Sequence, residues 1–236
     1  VRVRGYLWGQ ALPVGYNSIK PNDGDDWLRF IGVKYISDGS TQGLTAALNN
    51  PYFYPKDSTF SGDLNYKDGD IYGLMKPFFD QGWQISIHAN GDKAIDQTLN
   101  NYAKLLDGNK NPQARRLRVE HFTVNTEGQV AKAVKMGVIP SFTIGHVNFW
   151  GQAFNDHLIG PDRAQRIDPA GDVIRAGGKF TLHSDSPVSP FGPLAYISDE
   201  VTRLWQVPPQ KVLGPKQAVT VDDAIRAITI DAAYQI

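Results

Sequence analysis

The sequence predicts an α/β fold of the TIM-type (β/α)8 barrel kind, and three observations carry that prediction. Short apolar runs alternate with helix-like stretches along most of the chain. Four of these runs end in a residue able to ligate a metal: Lys34 in FIGVKYISDGS, His88 in WQISIHANGDKA, His121 in RLRVEHFTVN and Asp185 in KFTLHSDSPV. The length of 236 residues suits one large domain, and α/β barrels run this long as single units. Parallel strands that deliver polar residues from their C-terminal ends to one face describe a barrel site.

The elements follow in order. Residues 1–7 alternate apolar and charged side chains and read as a strand. Residues 9–26, rich in Gly, Pro, Asn and Asp, read as a loop. Residues 27–36 hold a second strand ending near Lys34, with a DGS turn at 38–40. Residues 49–70 are aromatic and polar without periodicity, the signature of a lid or substrate loop. A short helix at 74–81 and a strand at 84–88 come next. A helix then starts at Asp92, read as its N-cap, and stops at Gly108. Residues 117–120 form a strand, 126–136 a helix stopped by Gly137, and 138–142 a strand. Residues 144–166 read as mostly loop, 169–176 as a short helix, 179–182 as a strand and 187–193 as a proline-rich loop. From Val221 the pattern VDDAIRAITIDAAYQ is an amphipathic helix. That gives about six strands, and right-handed crossovers place them in one parallel sheet. A closed barrel needs eight.

Composition narrows the function classes. Apolar residues make up 41% and charged residues 20%, enough for a packed core. Lys+Arg and Asp+Glu are both 24, so no charge excess argues for nucleic acid or an anionic membrane. There is no cysteine, hence no disulfide and no thiolate metal site. No apolar run approaches the roughly 18 residues of a membrane span. The N-terminus opens on a strand pattern without Met or a signal peptide, as if inside a larger protein. A cytoplasmic location is the default expectation.

Each candidate side chain has a plain structural alternative. His88 and His121 are either strand-end histidines bonded to backbone carbonyls or metal ligands; their equivalent positions on successive strands favour ligands. Lys34 is a snorkelling lysine or one paired with Asp38; alternatively, its buried amine takes up CO2 as a carbamate. Asp185 caps a turn, or it binds metal and accepts a proton from water. Alternation puts His183 on the same face as Asp185. His146 and Trp150 contact substrate or simply stack in a loop. His157 has no assigned role.

Six segments in register resemble the amidohydrolase superfamily, in the branch that includes N-substituted formamide deformylase-like metal-dependent hydrolases. They are VKYISDGSTQGLTAAL, IHANGDKAIDQTL, LRVEHFTVN, SFTIGHVNFWG, LHSDSPVSPFGPL and AIRAITIDAAYQI. The resemblance implies a (β/α)8 barrel with an accessory β-sandwich. It also implies hydrolysis of a small amide-type, non-peptide C–N bond by water activated at one or two divalent ions, zinc being expected. The family's carboxylated lysine, two later histidines and aspartate fall on Lys34, His88, His121 and Asp185, with Asp185 also catalytic. His146, Trp150 and His183 would face the substrate. The family's first-strand His-x-His has no counterpart, since the histidines are at 88, 121, 146, 157 and 183. Residues 1–236 are therefore expected to form one partial barrel, strands 3–8, lacking strands 1–2 and the sandwich. The exposed edges would favour a homo-oligomer or a complementary chain segment. Two further readings stay open: a non-catalytic, degenerate barrel that binds a small molecule or partner chain, and a lactonase or phosphotriesterase on the same residues.

Overall fold

A single six-stranded parallel sheet, in the order β1-β2-β3-β4-β5-β6, forms the frame of the molecule. The computed structural model describes residues 2–12, 15–55, 57–67 and 69–236. Val1, the expected start of the first strand, lies outside these residues. So do Pro13 and Val14 of the first loop, and Lys56 and Asp68 of the 49–70 segment. The strands are β1 (Val3–Trp8), β2 (Leu28–Ile36), β3 (Gln84–Ala89), β4 (Arg118–His121), β5 (Ile139–Thr143) and β6 (Thr181–His183). Every neighbouring pair is parallel, and one irregularity at Gly5/Tyr6 bends β1 against β2. Strand order equals chain order because each crossover packs the next strand beside the last. The sheet curls into part of a TIM-type barrel.

Helices cover the outer face. They are α1 (Asp70–Asp80), α2 (Asp92–Leu105), α3 (Glu127–Lys135), α4 (Gly151–Ala153), α5 (Pro161–Ala164), α6 (Ala170–Arg175), α7 (Pro193–Thr202), α8 (Val221–Ile228) and α9 (Ile230–Tyr234). Val33, Tyr35, Ile85, Ile87, Val119 and Phe142 are buried on the strands. They share one apolar cluster with Ile71 and Met75 of α1, Leu99 and Tyr102 of α2 and Val130 of α3. The opposite, concave face is polar and cross-linked. Tyr6 donates to Gln84 (2.5 Å), Ser86 to Glu120 (2.6 Å) and Arg118 to Tyr6 (3.1 Å).

Four local expectations need correction. Gly91, in extended conformation, is the N-cap of α2; Asp92 is its first helical residue, and its carboxylate accepts the Asn49 amide instead. Residues 146–164 are largely helical: wide π-type turns at His146–Trp150 and Phe154–Leu158 flank α4, and α5 follows. Burial of Val147, Phe154 and Ala164 holds this segment wound despite its glycines. The C-terminal helix breaks at Thr229 (φ −123°, ψ −89°) into α8 and α9. The first helix begins at Asp70, not residue 74, and runs through Pro77. The 49–70 segment carries no strand, and only its last residue, Asp70, enters a helix, among the described residues. Among the described residues, no helix is long and apolar enough to cross a membrane.

Candidate active site at the C-terminal ends of the strands

Four imidazoles meet at the C-terminal edge of the sheet. His88 ends the polar row of β3, His121 is the last residue of β4, and His183 is the last of β6. His146 opens the turn after β5. The His121 ring is the hub: its centroid lies 4.3 Å from His88, 5.3 Å from His183 and 6.3 Å from His146. Strict alternation would turn His121 away from this face, because its neighbour Glu120 already bonds Ser86 on the concave side. A left-handed backbone at His121 (φ 74°) and Phe122 (φ 52°) breaks the alternation. Consecutive non-glycine residues in that region are strained, and such strain collects at functional sites. Asp185 is also left-handed (φ 52°) and exposed.

Hydrogen bonds fix which imidazole nitrogens remain free. His88 Nε2 lies 2.9 Å from the Gly39 carbonyl, to which Asn90 Nδ2, 3.0 Å from the same nitrogen, also donates. His121 Nδ1 lies 2.6 Å from Thr143 Oγ1, which leaves Nε2. This is the arrangement in which outer partners orient metal-ligating histidines. His183 Nε2 is held by the Ser141 carbonyl (3.0 Å) and Thr143 Oγ1 (3.3 Å).

Electrostatics keep these rings neutral. Burial pulls His88 down to about 4; the Gly39 carbonyl and the Asp185 charge oppose this, and Lys34 adds to it. Burial first, then the charges of its neighbouring histidines and of Lys34, hold His121 well below its ordinary value. His183 is lowered by burial against the opposing pull of Glu120 and Asp185. Lys34 is half-buried on β2, in register with Ser86 of β3. It forms no ion pair among the described residues, so the expected alternative pairing with Asp38 is absent. Asp38 instead accepts the backbone N–H groups of Ala47, Asn90 and Gly91 (2.8–3.0 Å). Trp150 lies at the end of its turn, partly exposed. His157 contacts the Tyr54 ring edge-on. A cavity of about 330 Å³ sits at the other end of the strands, lined by Gln84, Arg115 and Gln235, away from the imidazoles.

Imidazole nitrogens are divalent-ion donors, so His88 Nδ1 and His121 Nε2 are of the chemical type that would hold such an ion. Among the described residues no three His, Cys, Asp or Glu side chains form a metal-binding group.

Sequence reasoning missed Asn90, Thr123, Thr143 and Asp168. Asn90 sits in the short junction before α2, where an asparagine carries no mark of a site. Thr143 was detectable as a polar residue on an apolar strand. Asp168 gave no signal beyond a loop-like Asp-Pro.

A family profile described as the amidohydrolase family matches residues 2–236. The chain belongs to that family. It is 26% identical over 176 residues to an N-substituted formamide deformylase of Arthrobacter pascens, covering 75% of this chain and 32% of that protein. It is 28% identical over 212 residues to Protein LONG AFTER FAR-RED 3 of Arabidopsis thaliana, covering 88% of this chain and 35% of that protein. The fold is similar to that of an uncharacterized metal-dependent hydrolase from Pyrococcus furiosus (TM-score 0.83, 23% identity), covering all of this chain and 46% of that one. This amidohydrolase chain thus spans about a third of the length of those curated relatives.

Proposed function

We propose that this site hydrolyses a C–N bond other than a peptide bond in a small amide. The neutral His88/His121 pair, each ring held by a bond to one nitrogen, carries the reading. Family membership and the name of the Arthrobacter pascens relative support it. His88, His121 and Lys34, the last as a carbamate, would hold a divalent ion, with zinc the first choice for imidazole donors. When bound, such an ion acts as a Lewis acid toward a carbonyl and acidifies water. Asp185, two residues past β6, takes the proton from the attacking water and returns it to the leaving amine. His146 and His183 face the substrate. Trp150 and the 49–70 segment border it. Glu120, beneath His183 (4.0 Å) and paired with Arg118 (2.9 Å), keeps the floor of the site polar and rigid.

The test is a zinc-loaded chain assayed on N-substituted formamides, other small amides, a lactone and a phosphotriester. Amide turnover that is lost in Asp185→Asn supports the reading. Preference for lactone or phosphotriester, or no turnover by the loaded chain, contradicts it. Among the described residues no three His, Cys, Asp or Glu side chains form a metal-binding group, which favours a second reading, a binding protein without catalysis. That reading gains if the chain binds amides and turns none over.

A further inference from the structure

The hydrogen bonds that begin at His88 continue to His146 and decide where its proton sits. Asn90 Nδ2 donates to the Gly39 carbonyl (2.9 Å), which can only accept. Asn90 therefore turns its oxygen toward Thr123. The Thr123 hydroxyl has one proton and gives it to that oxygen (2.8 Å). What Thr123 offers His146 Nδ1, 3.2 Å away, is a lone pair. His146 Nδ1 must then carry hydrogen.

Asp168 points to the same answer by an independent route. Its Oδ1 lies 3.8 Å from His146 Nδ1. The residue is fully buried, and among the described residues neither carboxyl oxygen has a hydrogen-bond partner. An unpartnered buried carboxylate is costly, and a hydrogen on the nearby Nδ1 offsets part of that cost. The Asp168 backbone is left-handed (φ 47°) and clamped by the buried Arg203, which donates to the carbonyls of Ile167 (2.7 Å) and Asp168 (3.3 Å). Glu200, on α7, pairs with Arg203 (3.2 Å). The aromatic neighbours of the His146 ring among the described residues are the His121 ring and the Phe154 ring, 5.5 Å away.

We infer that Thr123 and Asp168 are positioning residues that hold His146 as its Nδ1–H tautomer, the opposite of the form that free neutral histidine prefers. Nε2 then presents an acceptor, not a donor. Toward a substrate it takes an N–H or O–H rather than holding the carbonyl oxygen. The tautomer rests on the geometry around His146 alone. Only the use of Nε2 toward substrate rests on the hydrolase reading, so a spectrum taken without substrate separates the two.

Long-range 1H–15N correlation spectra of the histidine-labelled full chain read the tautomer directly. His146→Gln assigns its signals by their loss. The wild-type ring is expected to show a protonated Nδ1 and a bare Nε2. Thr123→Val combined with Asp168→Leu is expected to lose that pattern, whereas Thr123→Ser retains it. Protonation of wild-type His146 on Nε2 alone overturns the inference, whether or not a variant folds. So does a folded double variant whose His146 pattern is unchanged.

Discussion

Arg118 and Glu120 show how single side chains set up the site. Burial alone would raise the Glu120 carboxyl, but the Arg118 guanidinium, with help from His183 and Lys34, holds it down at about 2. The pair is a standing ion pair under the imidazoles. Removing one partner of a buried pair strands the other charge. Arg118→Met is therefore expected to cost about 3–5 kcal/mol, read from urea unfolding at neutral pH. A loss under about 1 kcal/mol would mean that the pair is solvated like a surface salt bridge. At this scale the strand-end residues were legible because each closes an apolar run with one polar letter. Their aim was not: the left-handed turn at His121 has no sequence mark, since histidine and phenylalanine do not announce it as glycine would. Thr123 and Asp168 were hidden for a related reason, because their meaning lies in contacts 23 and 22 residues away with His146.

The β3–α2 junction is the element that ties the site to the scaffold. Gly91 caps α2, and a Cβ there would lie 1.9 Å from the Ala47 carbonyl oxygen. No side-chain rotation relieves a clash with backbone. Gly91→Ala is expected to destabilise the chain by about 1–3 kcal/mol. Hydrogen exchange should speed at the Ala47, Asn90 and Gly91 amides that Asp38 accepts. Unchanged exchange at those amides would show that the junction yields without loosening. Helices such as α2 and α3 were readable from apolar spacing and stop glycines. Thr126 also supplies a capping box with Gln129. The 146–164 stretch was not readable. Its two glycines and Pro161 look like punctuation, yet Gly151 packs closely, a Cβ there meeting the Leu213 side chain at 3.1 Å. Tertiary packing overrode local propensity there.

For the whole molecule, the sheet order leaves β1 and β6 without an outer neighbour among the described strands. Val3, Trp8, Trp27 and Leu28 are exposed around β1 and the start of β2. Unpaired strand edges beside apolar surface favour association. Sedimentation of the 236-residue chain should show concentration-dependent oligomers; a monomer at all concentrations would contradict this. A second expectation concerns pH. Burial pushes the Glu200 carboxyl from 4.5 up to about 8, Arg203 pulling it down and Asp168 pushing it further. Between those values the folded chain binds more protons than the unfolded one, so this group's contribution to stability falls as pH rises. The unfolding free energy of the wild type, from urea titrations, should drop relative to Glu200→Gln between about pH 5 and about pH 9, by an amount on the order of a few kcal/mol. Parallel profiles for the two would contradict it. The parallel α/β architecture itself was legible, because six apolar runs separated by crossover-length segments admit few other topologies.

The central claim is that His88 and His121 form the ligand pair of a divalent-ion site in which Asp185 is not the main holder. Metal content by elemental analysis, with anomalous diffraction at the metal edge, tests it most directly. About one ion per chain is expected near His88 and His121. It should be lost in the His88→Ala, His121→Ala double variant and kept in Asp185→Asn. A peak beside Asp185 with none at the histidines, or metal content unchanged when both histidines are removed, would contradict the account.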